Sequence, residues 1–163
     1  MSSRKAFTVE EANALIPRME RTLDRLRDCA QSLEATHEKL QVLDVLWGDA
    51  VQQPRNPDHG EYGEHTDALR AATHELEEIV RMEILDRGIR IPSGGLEHGL
   101  LDFPTTWQRR WVYLCWRRGE LRIEAWHEVH GGFAGRQPLT ADQANRMGRE
   151  DDPAHVDDSM LDS

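Results

Sequence analysis

Only two cysteines, Cys29 and Cys115, occur in the 163 residues, and they stand far apart in the chain. That scarcity excludes a disulfide framework, and the two are expected to be reduced thiols. The N-terminal stretch MSSRKAFTVEEA lacks the apolar core of a secretory signal. No apolar run approaches the roughly 20 residues that a membrane-spanning helix needs. A soluble cytoplasmic protein without membrane attachment is therefore expected. A basic domain is missing too: acidic residues number 30 against 20 Lys and Arg, for a net charge of −10. Nucleic-acid binders present clustered Lys and Arg, so a nucleic-acid partner is not expected. A chain of this length buries enough surface to fold without disulfides or metal.

The charge is uneven. The segment 149–163 carries six acids and one Arg, half of the net charge, and reads as a disordered acidic tail. The segment 105–136 carries six Arg against three Glu, so a small anion could be attracted there.

The first half reads as helix. Thr8 and Glu11 have capping-box spacing, with Phe7 placed as a hydrophobic staple. Pro17 predicts a kink or restart. Ile16, Met19, Leu23, Leu26, Ala30, Leu33, His37 and Leu40 then alternate steps of three and four, a coiled-coil seam. After a Pro- and Gly-punctuated loop at 48–60, the pattern resumes with Tyr62, His65, Leu69, Ala72, Leu76 and Ile79, and stops at Gly88. Two such helices joined by a short loop predict an antiparallel hairpin over 9–88. Setting Trp47 opposite Tyr62 brings Asp44 near His65. The seam suggests that the hairpin projects or packs on a second copy, making a homo-oligomer.

The second half reads as β-structure, over 89–148. Short apolar segments at Ile89–Ile91 and Leu100–Phe103 end at prolines. Arg110–Trp116 and Leu121–His127 are expected to pair through a turn at Arg117–Glu120. With Trp116 opposite Leu121, one face carries Val112, Leu114, Trp116, Leu121 and Ile123. The other carries Trp111, Tyr113, Cys115, Arg122, Glu124 and Trp126. Thr140 and Gln143 predict a capped helix. The fold class is thus α+β: a long antiparallel helical hairpin followed by a small antiparallel sheet, in one domain over 7–148.

Four segments carry a family resemblance: FTVEEANALIP at the start, GLLDFP at 99–104, LCWRRGE at 114–120 and WHEVHGGFAGRQPL at 126–139. In this order they resemble an uncharacterised bacterial family, domain of unknown function 2203. The resemblance spans roughly residues 7 to 139 and implies a small cytosolic bacterial protein. It brings no established activity, cofactor or catalytic residue.

Chemistry-bearing residues concentrate between Asp102 and Arg136. Asp102, Glu120, Glu124 and His127 form the candidate metal set, with His98, Glu128 and His130 nearby. Imidazole and carboxylate donors suit zinc, iron or manganese. The spacing of His127 and His130 is not that of the zinc-protease motif, which needs two His four apart on a helix. Arg122 and Arg136 are candidate anion ligands, the latter beside the glycine-rich loop at 131–135, whose turn is expected to be fixed by a buried Phe133. Cys115 is a candidate nucleophile with His127 or His130 as base, but the register above sends His127 to the opposite face. Trp111 and Trp126, on the mixed face, are candidates for a partner surface.

No catalytic constellation is complete. The leading expectation is accordingly an oligomeric interaction or scaffold protein without catalysis. The alternative is a metal- or small-anion-binding protein, conceivably an enzyme, with its site at the end of the 109–127 hairpin.

Overall fold

The computed structural model describes residues 4–161. A long helical hairpin precedes a four-stranded antiparallel sheet. The contacts divide the chain into two units: Met1–Leu23 with Met82–Ser163, and Asp24–Arg81.

Helix α1 spans Val9–Trp47. Its start is fixed as the sequence predicts: Glu11 N–H donates to Thr8 Oγ1 and Thr8 N–H to Glu11 Oε1, both at 3.1 Å. The helix runs through Pro17 without the expected restart. The flanking Ile16 and Met19 are buried, so tertiary packing holds a turn that local propensity disfavours.

Within the unit Asp24–Arg81, α2 spans His59–Ile79, after a 3-10 turn at Gly48–Gln52. The predicted α2 seam from Tyr62 to Ile79 is buried or half-buried throughout. On α1 the seam shifts by one residue: Cys29 and Thr36 face inward, while Ala30 and His37 are exposed. Cys29 Sγ donates to Ala72 O at 3.2 Å. The two helices therefore pair about two helical turns away from the register set by Trp47 and Tyr62. His65 consequently meets Glu61 of its own helix, at 3.3 Å, rather than Asp44.

The other unit holds the sheet. β1 (Leu100–Trp107), β2 (Arg110–Arg117), β3 (Ala125–Glu128) and β4 (Gln137–Pro138) pair in chain order. The segment expected at Ile89–Ile91 adds a single bridge, Arg90 to Asp102. β1 does not stop at Pro104. It is an edge strand, where a missing N–H is tolerated, and Pro104 O accepts from Phe7 N at 2.8 Å. β1 and β2 are joined by a two-residue turn, Gln108–Arg109, with φ +49° and +63°. Such a turn ordinarily draws Asn or Gly, so the sequence carries no signal for it.

The turn expected at Arg117–Glu120 forms, with Glu120 N–H donating to Arg117 O at 3.0 Å, but β3 does not start behind it, and the connection from β2 to β3 covers 118–124. It is pinned from three sides: Trp116 Nε1 donates to Glu120 O, Ile123 N to Asn13 Oδ1, and Gly119 N to Glu20 Oε1. As a result Leu114 pairs with Trp126, where the expected hairpin pairs it with Ile123. A slip of three is odd, so it exchanges the faces of β3. One face now carries Leu101, Phe103, Val112, Leu114, Trp116 and Trp126, all buried. Phe7 meets Phe103 edge-on at 5.3 Å between ring centres. Burying large side chains of this kind stabilises by roughly 1.5–3 kcal/mol each.

The opposite face carries Asp102, Pro104, Tyr113, Cys115, Ala125 and His127. α3 (Ala141–Arg146) begins at the predicted capping box of Thr140 and Gln143. The segment beyond it, expected as a disordered tail, makes contacts in its described part. Asp151 Oδ2 accepts from Arg109 N, and Leu161 is buried with Ala6, Trp111 and Tyr113. Its last two residues, 162–163, lie outside the described residues.

Gly148 sits where the chain returns to the sheet, donating to Thr106 O at 3.0 Å. Its φ is +77°, and a Cβ there would lie 2.4 Å from Phe7 O. Gly119, with φ +98°, has open space around it. Gly148→Ala should therefore lower the melting temperature well beyond Gly119→Ala, for which only the left-handed backbone penalty of about 1–2 kcal/mol applies. Equal losses in the two variants would show that the Phe7–Gly148 approach is not formed.

Candidate metal centre

The strand register decides what meets what. Asp102 on β1 is directly opposite Cys115 on β2, and His127 on β3 is opposite Tyr113, one diagonal step from Cys115. Diagonal neighbours on one face lie within reach of each other's side chains. A carboxylate oxygen of Asp102, Cys115 Sγ and a ring nitrogen of His127 accordingly lie within 4.8 Å of one another, and all three residues are buried. In a tetrahedral zinc site, ligand atoms lie roughly 3.3–3.8 Å apart, as bond lengths of about 2.0–2.3 Å require. One edge is already short: His127 Nε2 is 3.1 Å from Asp102 Oδ1.

The ring of His127 is oriented from behind. Its Nδ1–H donates to Glu128 O at 2.8 Å, leaving Nε2 toward Asp102 and Cys115. This is the arrangement in which metal-ligating histidines are held, with the far nitrogen on a backbone carbonyl. A cavity of about 230 Å³ opens on the three donors, walled by Pro92, Leu100, Val129 and Phe133. Arg90 also lines it, donating from Nη1 to Asp102 Oδ2 at 3.1 Å and lying over the Tyr113 ring.

A neutral His127 would turn a lone pair on the Asp102 carboxylate, two acceptors with nothing between them. Something positive must fill the gap: a proton or a cation. Burial disfavours the charged ring, but the hydrogen bonds to Asp102, Cys115 and the Glu128 carbonyl outweigh it, raising the pKa of His127 from 6.5 to about 10. In the metal-free protein the proton occupies the gap.

The candidate metal residues read from the sequence divide. Asp102 and His127 come together; Glu120 and Glu124 do not join them. Glu120 pairs with Arg136 at 2.8 Å, and exposed Glu124 lies beside Arg122 at 3.5 Å. Glu128 is taken by Arg110. The two candidate anion ligands are thus each matched with a carboxylate, and Arg136 also donates to Cys115 O. Phe133 is half exposed rather than buried. Trp111 and Trp126, expected at a partner surface, are both buried and lie on opposite faces of the sheet. The candidate donor missing from the sequence-derived metal set is Cys115, lost with the register: its pairing with Ala125 restores it to the face of His127.

The family model of an uncharacterized conserved protein, DUF2203, matches residues 5–139. The chain belongs to this family, and the matched span includes all three donors. No curated protein and no solved structure matches it. Among the described residues, no helix is long and apolar enough to cross a membrane.

The raised pKa of His127 sets a pH dependence for the metal-free protein. Below about pH 6.5 the ring is protonated folded and unfolded alike, and its stabilising contribution is complete; it is lost as pH rises toward about 10. Urea unfolding of the chelated protein should show stability falling over that window. In His127→Gln the fall should be much shallower. An unchanged slope in the variant would mean that His127 holds no proton there.

Proposed function

We propose that this protein binds one transition-metal ion, zinc or iron(II), through Asp102, Cys115 and His127. The observation that carries the reading is the convergence of a carboxylate, a thiol and an imidazole within 4.8 Å at the floor of a cavity. A thiolate donor disfavours magnesium, calcium and manganese, and a mixed oxygen, sulfur and nitrogen set suits zinc or iron(II). Three protein donors with an open approach match sites that keep a position for a small ligand, rather than closed structural sites with four. The Glu128 carbonyl behind His127 and the Arg90 guanidinium on Asp102 are the supporting groups. Metal entry displaces the proton on His127, so affinity should rise with pH.

Protein purified without tags or chelators should carry about one equivalent of metal per chain. Removing a direct ligand should cost at least as much as losing a supporting contact, about a hundredfold in affinity. Cys115→Ser and His127→Ala should therefore both lose the metal, with circular dichroism checking that each still folds. Retention of a full equivalent by folded Cys115→Ser would sink the proposal.

A second reading, self-association through the hairpin, is supported by the exposed apolar row Val42, Val45 and Leu46 on α1. Light scattering should then report a dimer that Leu46→Glu converts to monomer. A monomer at high concentration in the unsubstituted protein would remove this reading.

A further inference from the structure

We infer that His130 is the metal's fourth protein donor, carried in by closure of the 129–133 turn over the cavity, and that a small ligand reaches the metal only by displacing it. The inference rests on the metal reading above and adds how the open position is guarded.

A zinc ion held by Asp102, Cys115 and His127 lacks one ligand of the tetrahedron it prefers. Among the described residues of the cavity wall, His130 alone adds a further imidazole, thiol or carboxylate. Its side chain is exposed and has no hydrogen-bond or ion-pair partner among the described residues, so no bond is lost when it moves. In this structure it stands apart from the three donors, which by themselves lie within 4.8 Å of one another. The form described here is therefore the open one.

The chain is suited to a short movement at this point. The Glu128 carbonyl accepts from His127 Nδ1–H at 2.8 Å and from Gly131 N–H at 2.9 Å. One oxygen thus fixes the ring of a donor and closes the turn that bears His130. Val129 and His130 are the central residues of that turn, and both line the cavity. Behind it, Gly132 has φ +59° and ψ −171°, a conformation essentially confined to glycine, with open space around it. Such a position can absorb the backbone rotation of a closing loop. Phe133, next on the cavity wall and 43% exposed, is the apolar surface that closure covers.

The test uses the full-length protein loaded with an NMR-active isotope of cadmium, in buffer free of chloride and imidazole. Proton–cadmium correlation spectra show only protons on groups that ligate the ion. The expected result is cross-peaks from the Cys115 β-protons and from the rings of both His127 and His130. Cross-peaks from Cys115 and His127 without His130 would overturn the inference and leave the metal reading intact. Absence of the Cys115 cross-peaks would overturn both. The guarding role is read from azide binding to the cobalt(II)-loaded protein, through its visible bands. Closure favoured about ten to one weakens azide binding about tenfold. His130→Ala should therefore bind azide about tenfold more tightly than the unsubstituted protein, with circular dichroism checking that the variant folds. Equal or weaker azide affinity in the variant would overturn the inference.

Discussion

The pairing of β2 with its two neighbours is the constraint on which the rest depends. Side chains alternate along a strand, so a slip of one or three residues on either side would send a donor through the sheet. Asp102 opposite Cys115, and Cys115 opposite Ala125, keep all three donors on one face. The register is held from outside the ladder. Asn13 and Glu20, on the first turns of α1, accept from the backbone of the 118–124 connection, and Trp116 closes it from below through Glu120 O. The opposite face supports this geometry with a wall of Phe103, Leu114, Trp116 and Trp126, which a slip of one or three residues would turn out of the core.

That arrangement leaves a charge problem at its centre. An aspartate, a thiol and a histidine are buried together, with one arginine in contact. Structural ion pairs of this kind rarely add net stability, because desolvation consumes the attraction. A proton shared between His127 and Asp102 satisfies the geometry in one state, and the proposed metal ion would satisfy it in another. The second state also accounts for Cys115, which a plain Asp–His pair does not need, and for a cavity that reaches the donors instead of packing closed over them.

Much of the fold was legible in the sequence, and the reasons are local. The Thr8–Glu11 and Thr140–Gln143 boxes, and the three-four spacing from Tyr62 to Ile79, are short-range signals that tertiary structure had no cause to override. What failed was long-range. Pro17 reads as a break because the packing of Ile16 and Met19 is invisible in the chain. The β1–β2 turn falls on Gln108 and Arg109, which carry no turn signature, while the signalled turn at Arg117–Glu120 forms but opens a longer connection before β3. Starting β3 directly behind that turn put Cys115 and His127 on opposite faces, and Glu120 and Glu124 entered the metal set through nearness in the chain alone. Asp102 and His127 were identifiable by residue type alone. Cys115 was recoverable only by testing odd register shifts and asking which of them gathers donors.

The most direct test of the central claim is X-ray absorption at the metal edge of the protein as purified. One sulfur scatterer at about 2.3 Å, with nitrogen and oxygen scatterers at about 2.0–2.2 Å, is the shell that Asp102, Cys115 and His127 predict. A shell of light atoms alone, or one with two or more sulfurs, would contradict the site described here.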